Sequence, residues 1–258
     1  MLSLSEIQKF YPETLHHAGD FLIREFLQYK MLEIIYESDY ADGLIFMGGT
    51  CLRIIHGNNR FSEDLDFDNL NLGEEDFSKV GDIIQARLEK EGYDVDVSVL
   101  HKRAFHCYVR FPGLLFREGL SGHKTQKILI QLDTEPQNFG YQPEQVLLNK
   151  FDVFTEVLTT PLSIMLAQKY FAVLNRIRNK GRDFYDIVFL HSMQTEPEWQ
   201  YLNQKLGIST KKELKEAVLQ HCEKLNMEKM AKDVEPFLFR SKDAQKVTRF
   251  TKLIRQVL

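Results

Sequence analysis

The sequence predicts an α+β fold, in which a mixed sheet domain is followed by a helical C-terminal half. Two observations carry that reading. Between residues 43 and 133, short apolar runs and runs of strict period-two alternation recur, the mark of strands. From Thr160-Pro161 onward only helical periodicity remains. With 258 residues there is room for one large domain or two modest ones, each with a real core. The expected division is N-terminal helices packing on the core over 1–40, a sheet domain over 41–155 and a helical domain over 156–258.

Ser3 and Glu6 have the spacing of a capping box, so a short helix opens there, and Pro12 interrupts it. Residues 14–37 place Leu15, Leu22, Phe26, Leu27, Met31 and Ile34 at helical intervals. GLIFM (43–47) follows an Asp-Gly turn signal and reads as a buried strand. TCLRIIHG suits a short helix that ends at Gly57. DLDFD alternates strictly and predicts a strand, and 74–91 an amphipathic helix.

YDVDVSVL (93–100), AFHCYVRF (104–111) and KILIQLD (127–133) are three further strands. In the second half, Thr160 as N-cap with Pro161 behind it starts a helix that Gly181 stops. Residues 182–193, 196–206, 210–224, 227–238 and 241–257 continue as helices.

A net charge of −4 leaves no global basic field for nucleic acid or membrane, so any such contact must be local. Cys51, Cys107 and Cys222 are widely spaced and odd in number, which argues against a disulfide framework or a zinc site. The N-terminus lacks the basic start and apolar run of a signal peptide. No apolar stretch is long enough to span a bilayer. A cytoplasmic protein with reduced thiols is the expectation.

The chemistry concentrates in MGGTCLRIIHGNNRFSEDLDFDNL, residues 47–70. In a strand, Asp64, Asp66 and Asp68 share one face while Leu65 and Phe67 take the other. Carboxylates stacked in this way repel unless a cation or water relieves them. A solvated acidic strand is one reading. A calcium loop is a second, but the glycine required at its sixth position is Asn69. The third joins the aspartates to the upstream turn. Gly48-Gly49 lets the main chain approach a phosphate, and magnesium held by carboxylates bridges to the same phosphates.

These residues resemble the nucleotidyltransferase toxins of the abortive-infection AbiEii/AbiGii type, within the DNA polymerase β-like superfamily. The shared pattern is Gly-Gly-Thr/Ser, a Leu-Arg one helical turn on, and Arg-x-Ser-x-Asp-x-Asp. Here it is Gly48, Gly49, Thr50, Leu52, Arg53, Arg60, Ser62, Asp64 and Asp66. KILIQLDTEP is similar to the strand of the third carboxylate; an acid often stands where Gln131 is, so Asp133 takes that role. SIMLAQKYFAVLNRIRNKGRDFYDIVFL is similar to the later motifs, a lysine in an apolar helix and Arg-Asp-x-x-Asp, here Lys169, Arg182, Asp183 and Asp186. The likeness covers roughly residues 40–193.

The resemblance implies a polymerase β-like fold and transfer of a nucleotide from a nucleoside triphosphate to a hydroxyl. It implies Mg2+ (with Mn2+ as substitute) on Asp64, Asp66 and Asp133. Lys169, Asp183 and Asp186 complete the catalytic set. Gly48, Gly49, Thr50, Arg53, Arg60, Ser62 and Arg182 bind the nucleotide. In several related toxins the acceptor is the 3′ end of tRNA, and a cognate antitoxin accompanies the toxin.

Two local basic runs offer an RNA contact: Arg176, Arg178, Lys180 and Arg182, and the segment His101, Lys102 and Arg103. Tyr170 and Tyr185 are either base-stacking or core residues. A protein or small-molecule acceptor, and a catalytically silent nucleotide or metal binder, stand as alternatives.

Overall fold

A computed structural model describes residues 1–101 and 104–258, so Lys102 and Arg103 of the second basic run lie outside the described residues. The chain divides into two compact units, Met1–Ile55 with Phe61–Thr159 and His56–Arg60 with Thr160–Leu258.

The first unit opens with α1 (Leu4–Gln8), where the Glu6 carboxylate accepts from the Ser3 N–H at 2.8 Å. A 3-10 turn over Glu13–Ala18 leads into α2 (Gly19–Tyr36). Strand β1 (Leu44–Met47) runs directly into α3 (Gly48–Ile54). Then come β2 (Leu65–Asn69), α4 (Glu74–Lys90), β3 (Asp96–His101), β4 (Phe105–Pro112), the single turn α5 (Leu114–Arg117) and β5 (Lys127–Thr134). The unit closes on a hairpin, β6 (Glu144–Lys150) and β7 (Val153–Thr159).

All seven strands form one mixed sheet in the order β3-β4-β5-β2-β1-β7-β6. Alternation decides which face is covered. Cys107, Val109 and Phe111 of β4 and Ile128, Ile130 and Leu132 of β5 are buried, whereas His106, Tyr108, Arg110, Gln131 and Asp133 on the other face stay partly open. Helices α2 and α4 pack on the sheet.

The β6–β7 hairpin is absent from the sequence reading. β6 buries only Leu148, so it lacks the apolar alternation that marks a half-buried strand. Its turn carries Phe151 at φ 60°, a conformation costly for a non-glycine residue. The ring is packed against Phe10, Phe26 and Tyr29 at 4.7–5.3 Å, which offsets that cost.

The second unit is helical throughout: α6 (Leu162–Asn175), α7 (Gly181–Ser192), α8 (Trp199–Leu206), α9 (Lys211–Cys222), α10 (Met227–Val234), α11 (Gln245–Thr248) and α12 (Phe250–Val257). One helix over 241–257 was expected. A 3-10 turn at Ser241–Ala244 and a break at Arg249 divide it.

Gly181 was expected to stop a helix, and instead it begins one. The preceding helix already ends at Asn175. A side chain at Gly181 would collide with the main-chain carbonyl of Met230, and its N–H donates to Asp233 at 2.7 Å. Close backbone approach, not helix termination, explains this glycine. Gly181→Ala is therefore expected to destabilise the second unit by about 1–3 kcal/mol, measured as a lower midpoint in denaturant unfolding.

Candidate active site

The sequence alternates apolar Leu65 and Phe67 with aspartates at the start of β2, and burial of these two leaves Asp66 on the open face. β2 pairs in parallel with β5, and in that ladder Asp66 stands directly opposite Asp133. Adjacent strands lie about 4.8 Å apart, so these two carboxylates are close neighbours. On the far side of β5, His106 of β4 is registered with Asp133. One row thus crosses three strands as His106, Asp133 and Asp66.

Asp133 is held asymmetrically. His106 Nδ1 and Gln131 Nε2 both lie 2.6 Å from its Oδ1. No described residue hydrogen-bonds to its Oδ2, and the side chain remains one-third exposed. This leaves one oxygen anchored and one available.

β1 is antiparallel to β2 with Met47 opposite Asp66, so the chain turns into α3 beside that carboxylate. Gly48 has φ 77°, the left-handed region that favours glycine. A Cβ there would also lie 2.9 Å from both Cβ and Cγ of Asp66 and closer still to its Oδ2. Two independent reasons therefore exclude a side chain at Gly48. The buried Gly49 and Thr50 follow, and the Thr50 hydroxyl donates to the Asp64 carbonyl. Gln28 of α2 donates to the carbonyls of Ser62 and Glu63 at 3.1 and 3.0 Å, fixing the segment ahead of β2. The Ser62 side chain is half-buried, with no described hydrogen bond.

Asp64 lies just outside the ladder, because β2 begins at Leu65. Among the described residues, no three His, Cys, Asp or Glu side chains are gathered as a metal cage requires. The expected triad is thus a registered pair with Asp64 beside it. Such a pair suits magnesium, which is commonly held by one or two carboxylates together with substrate phosphates and water. Asp68 is engaged elsewhere: it is buried and accepts from the Gln137 N–H at 2.8 Å and the Tyr141 hydroxyl at 2.9 Å.

Arg53 turns to Glu25 of α2, with Nε and Nη2 at 2.8 and 3.1 Å. Glu25 also receives Lys150 at 3.0 Å and the Tyr11 hydroxyl at 2.8 Å. Burial alone would raise the Glu25 pKa, but Arg53 and Lys150 hold it below the ordinary carboxylate value.

The later motif residues form a network within the second unit. Asp186, fully buried, receives Arg60 Nε and Nη2 at 2.7 Å each and Asn58 at 2.9 Å. Lys169 lies 2.8 Å from Asp186 and 3.1 Å from Asp183, and Arg176 lies 3.2 Å from Asp183. Burial would raise Asp186, yet Arg60 and then Lys169 outweigh it and hold the group at about 2. Arg182 stacks on Phe237 at 4.6 Å. Tyr170 and Tyr185 are core residues, 0% and 1% exposed. Arg178 and Lys180 of the first basic run are exposed on the segment joining α6 to α7.

Sequence reasoning did not select His106 or Asn58. The alternation of AFHCYVRF places His106 opposite its buried neighbours, but nothing local says that β4 lies next to β5. Asn58 lies 128 positions before the aspartate it contacts.

Comparison with known proteins decides the family. Residues 30–255 match the family described as "Nucleotidyl transferase AbiEii toxin, Type IV TA system". The chain belongs to that family. It is a nucleotidyltransferase of the toxin–antitoxin class. Two solved structures from Helicobacter pylori share its fold. JHP933 superposes with a TM-score of 0.53 at 15% identity, covering 92% of each chain. A second, described provisionally as a nucleotidyltransferase, gives 0.54 at 16%, covering 91% of this chain and 94% of that one. No curated protein matches the chain significantly. Among the described residues, no helix is long and apolar enough to cross a membrane.

Asp186→Asn is expected to cost about 3–5 kcal/mol, because it takes from buried Arg60 and Lys169 the anion they share. Asp186 sits at about 2 against an ordinary 3.8, so its contribution is full above pH 4 and is lost as pH falls through 2. Denaturant unfolding between pH 5 and 2 should show that acid-dependent loss in the native chain and a weaker slope in the variant.

Proposed function

We propose that this nucleotidyltransferase moves a nucleotide from a nucleoside triphosphate to an acceptor hydroxyl, with the 3′ end of tRNA as the acceptor. The observation that carries this reading is the registered Asp66–Asp133 pair with Gly48 packed against Asp66. It joins a close main-chain approach to two neighbouring carboxylates, one of which keeps an available oxygen. Gly48, Gly49 and Thr50 line the triphosphate, and the half-buried Ser62 faces the same approach. Asp64 and Asp66 are the residues to hold Mg2+, with Mn2+ as its substitute, and Asp133 stands beside them as the base. When bound, the metal neutralises the developing charge on the phosphate oxygens.

The acceptor oxygen attacks the α-phosphorus, the bond from that phosphorus to the bridging oxygen breaks, and pyrophosphate leaves. Asp133 takes the hydroxyl proton through the oxygen not held by His106 and Gln131. Lys169, Asp183, Asp186, Arg53 and Arg60 serve by holding the two units in shape. Arg178 and Lys180 are the exposed cations for an RNA backbone. The place of action is the cytoplasm, under control of a cognate antitoxin.

Asp66→Asn and Asp133→Asn should each lower transfer at least about 1,000-fold while leaving the thermal midpoint unchanged. The measurement is incorporation of each α-labelled nucleoside triphosphate into total tRNA with magnesium. Label in polypeptide instead of RNA would move the acceptor to protein. Nucleotide binding without any transfer would sink the reading and favour a silent binder.

A further inference from the structure

Past the carboxylate pair, β2 and β5 run on into loops, and between those loops a cleft of about 550 Å3 opens in the first unit. Phe105, Phe139, Thr134, Leu72, Asn71 and Asn138 line it. The size is that of a small-molecule site. We infer that this cleft receives the nucleobase of the acceptor's terminal nucleotide, so that its sugar hydroxyl reaches Asp133. This inference rests on the nucleotidyl-transfer reading above.

Four observations carry it. First, Thr134 is 1% exposed, and its hydroxyl has no hydrogen-bond partner among the described residues. Buried polar groups are nearly always paired, and a ligand is one source of the missing partner. Second, the aromatic side chains and the amides suit a flat, neutral, hydrogen-bonding group. Aromatic side chains stack single-stranded bases, and an amide offers both donor and acceptor to a base edge. Among the described residues no lysine or arginine lines the cleft, and the one acid there, Asp68, is bonded to Gln137 and Tyr141, so the described lining suits a neutral group better than a phosphate.

Third, two lining residues, Asn71 at φ 141° and Asn138 at φ 51°, hold positive backbone angles unusual for non-glycine residues. Strain of this kind gathers at ligand clamps.

Fourth, position separates the acceptor from the incoming nucleotide. Met47, the residue before the Gly-Gly turn, is opposite Asp66, whereas Leu44 is opposite Asn69. The turn and the cleft therefore lie on opposite sides of Asp66 along β2. Thr134 follows Asp133 on β5 with its side chain on the opposite face of the sheet, so the cleft opens at the strand end just past the carboxylate row, and the acceptor must round that end for its hydroxyl to meet Asp133.

The test measures binding of the four nucleoside 5′-monophosphates to the full chain by calorimetry without magnesium, beside transfer kinetics. Thr134→Val keeps the shape and removes the hydroxyl; Phe139→Ala removes one aromatic side chain. Each should weaken binding of the preferred monophosphate about tenfold. Each should also raise the KM for acceptor RNA while leaving the KM for the triphosphate unchanged. Unchanged monophosphate binding in both variants would overturn the site. A rise in the triphosphate KM alone would overturn the acceptor assignment and give the cleft to the incoming base. If no RNA is labelled but both variants still lose monophosphate binding, the nucleobase site stands and the transfer reading fails. If RNA is labelled and neither variant alters its KM, transfer stands and the acceptor assignment falls.

Discussion

The first unit depends on one strand register. β2 contributes Leu65 and Phe67 to the core and Asp66 to the open face, and its parallel ladder with β5 sets Asp66 beside Asp133. Side chains alternate with period two, so a slip of one residue would bury the aspartate and expose the leucine and phenylalanine. The hydrophobic effect on one face of the sheet thus positions the charges on the other. The same register aligns His106 with Asp133 and Met47 with Asp66, so the Asp133 carboxylate and the turn at Gly48 are placed by the same constraint.

Two neighbouring carboxylates are a cost to the resting fold, since like charges at short range repel. On Asp133, His106 and Gln131 share a single oxygen, and the other has no such partner among the described residues. That leaves one carboxylate oxygen open at the pair, and magnesium is a cation commonly held by one or two carboxylates together with phosphate oxygens.

Charge in the second unit has the opposite character. Asp186 is closed in by Arg60, Asn58 and Lys169, with no solvent exposure and no spare oxygen for a ligand. Removing one partner from such a network costs far more than the network contributes net, because the remaining ions stay buried. Arg53 with Glu25 repeats the theme in the first unit. The motif residues are thus of two kinds here, those facing an open site and those closing a buried ion network.

The sequence by itself determined the α+β class, the five strands between 43 and 133, the onset of helices after residue 160 and the placing of Asp66 opposite the buried Leu65 and Phe67. All of these follow from local periodicity and capping, which short-range sterics and one-sided burial impose. Tertiary structure alone decided that β4, β5 and β2 are neighbours, and with it the row His106, Asp133 and Asp66. It also supplied the β6–β7 hairpin, whose edge strand buries one side chain and so leaves no apolar alternation to read. It alone assigned Arg60 to Asp186 across 126 positions, and Gly181 to the Met230 carbonyl. Pairing partners and close approaches are set by which distant surfaces exclude water together, and no local window of sequence carries that information.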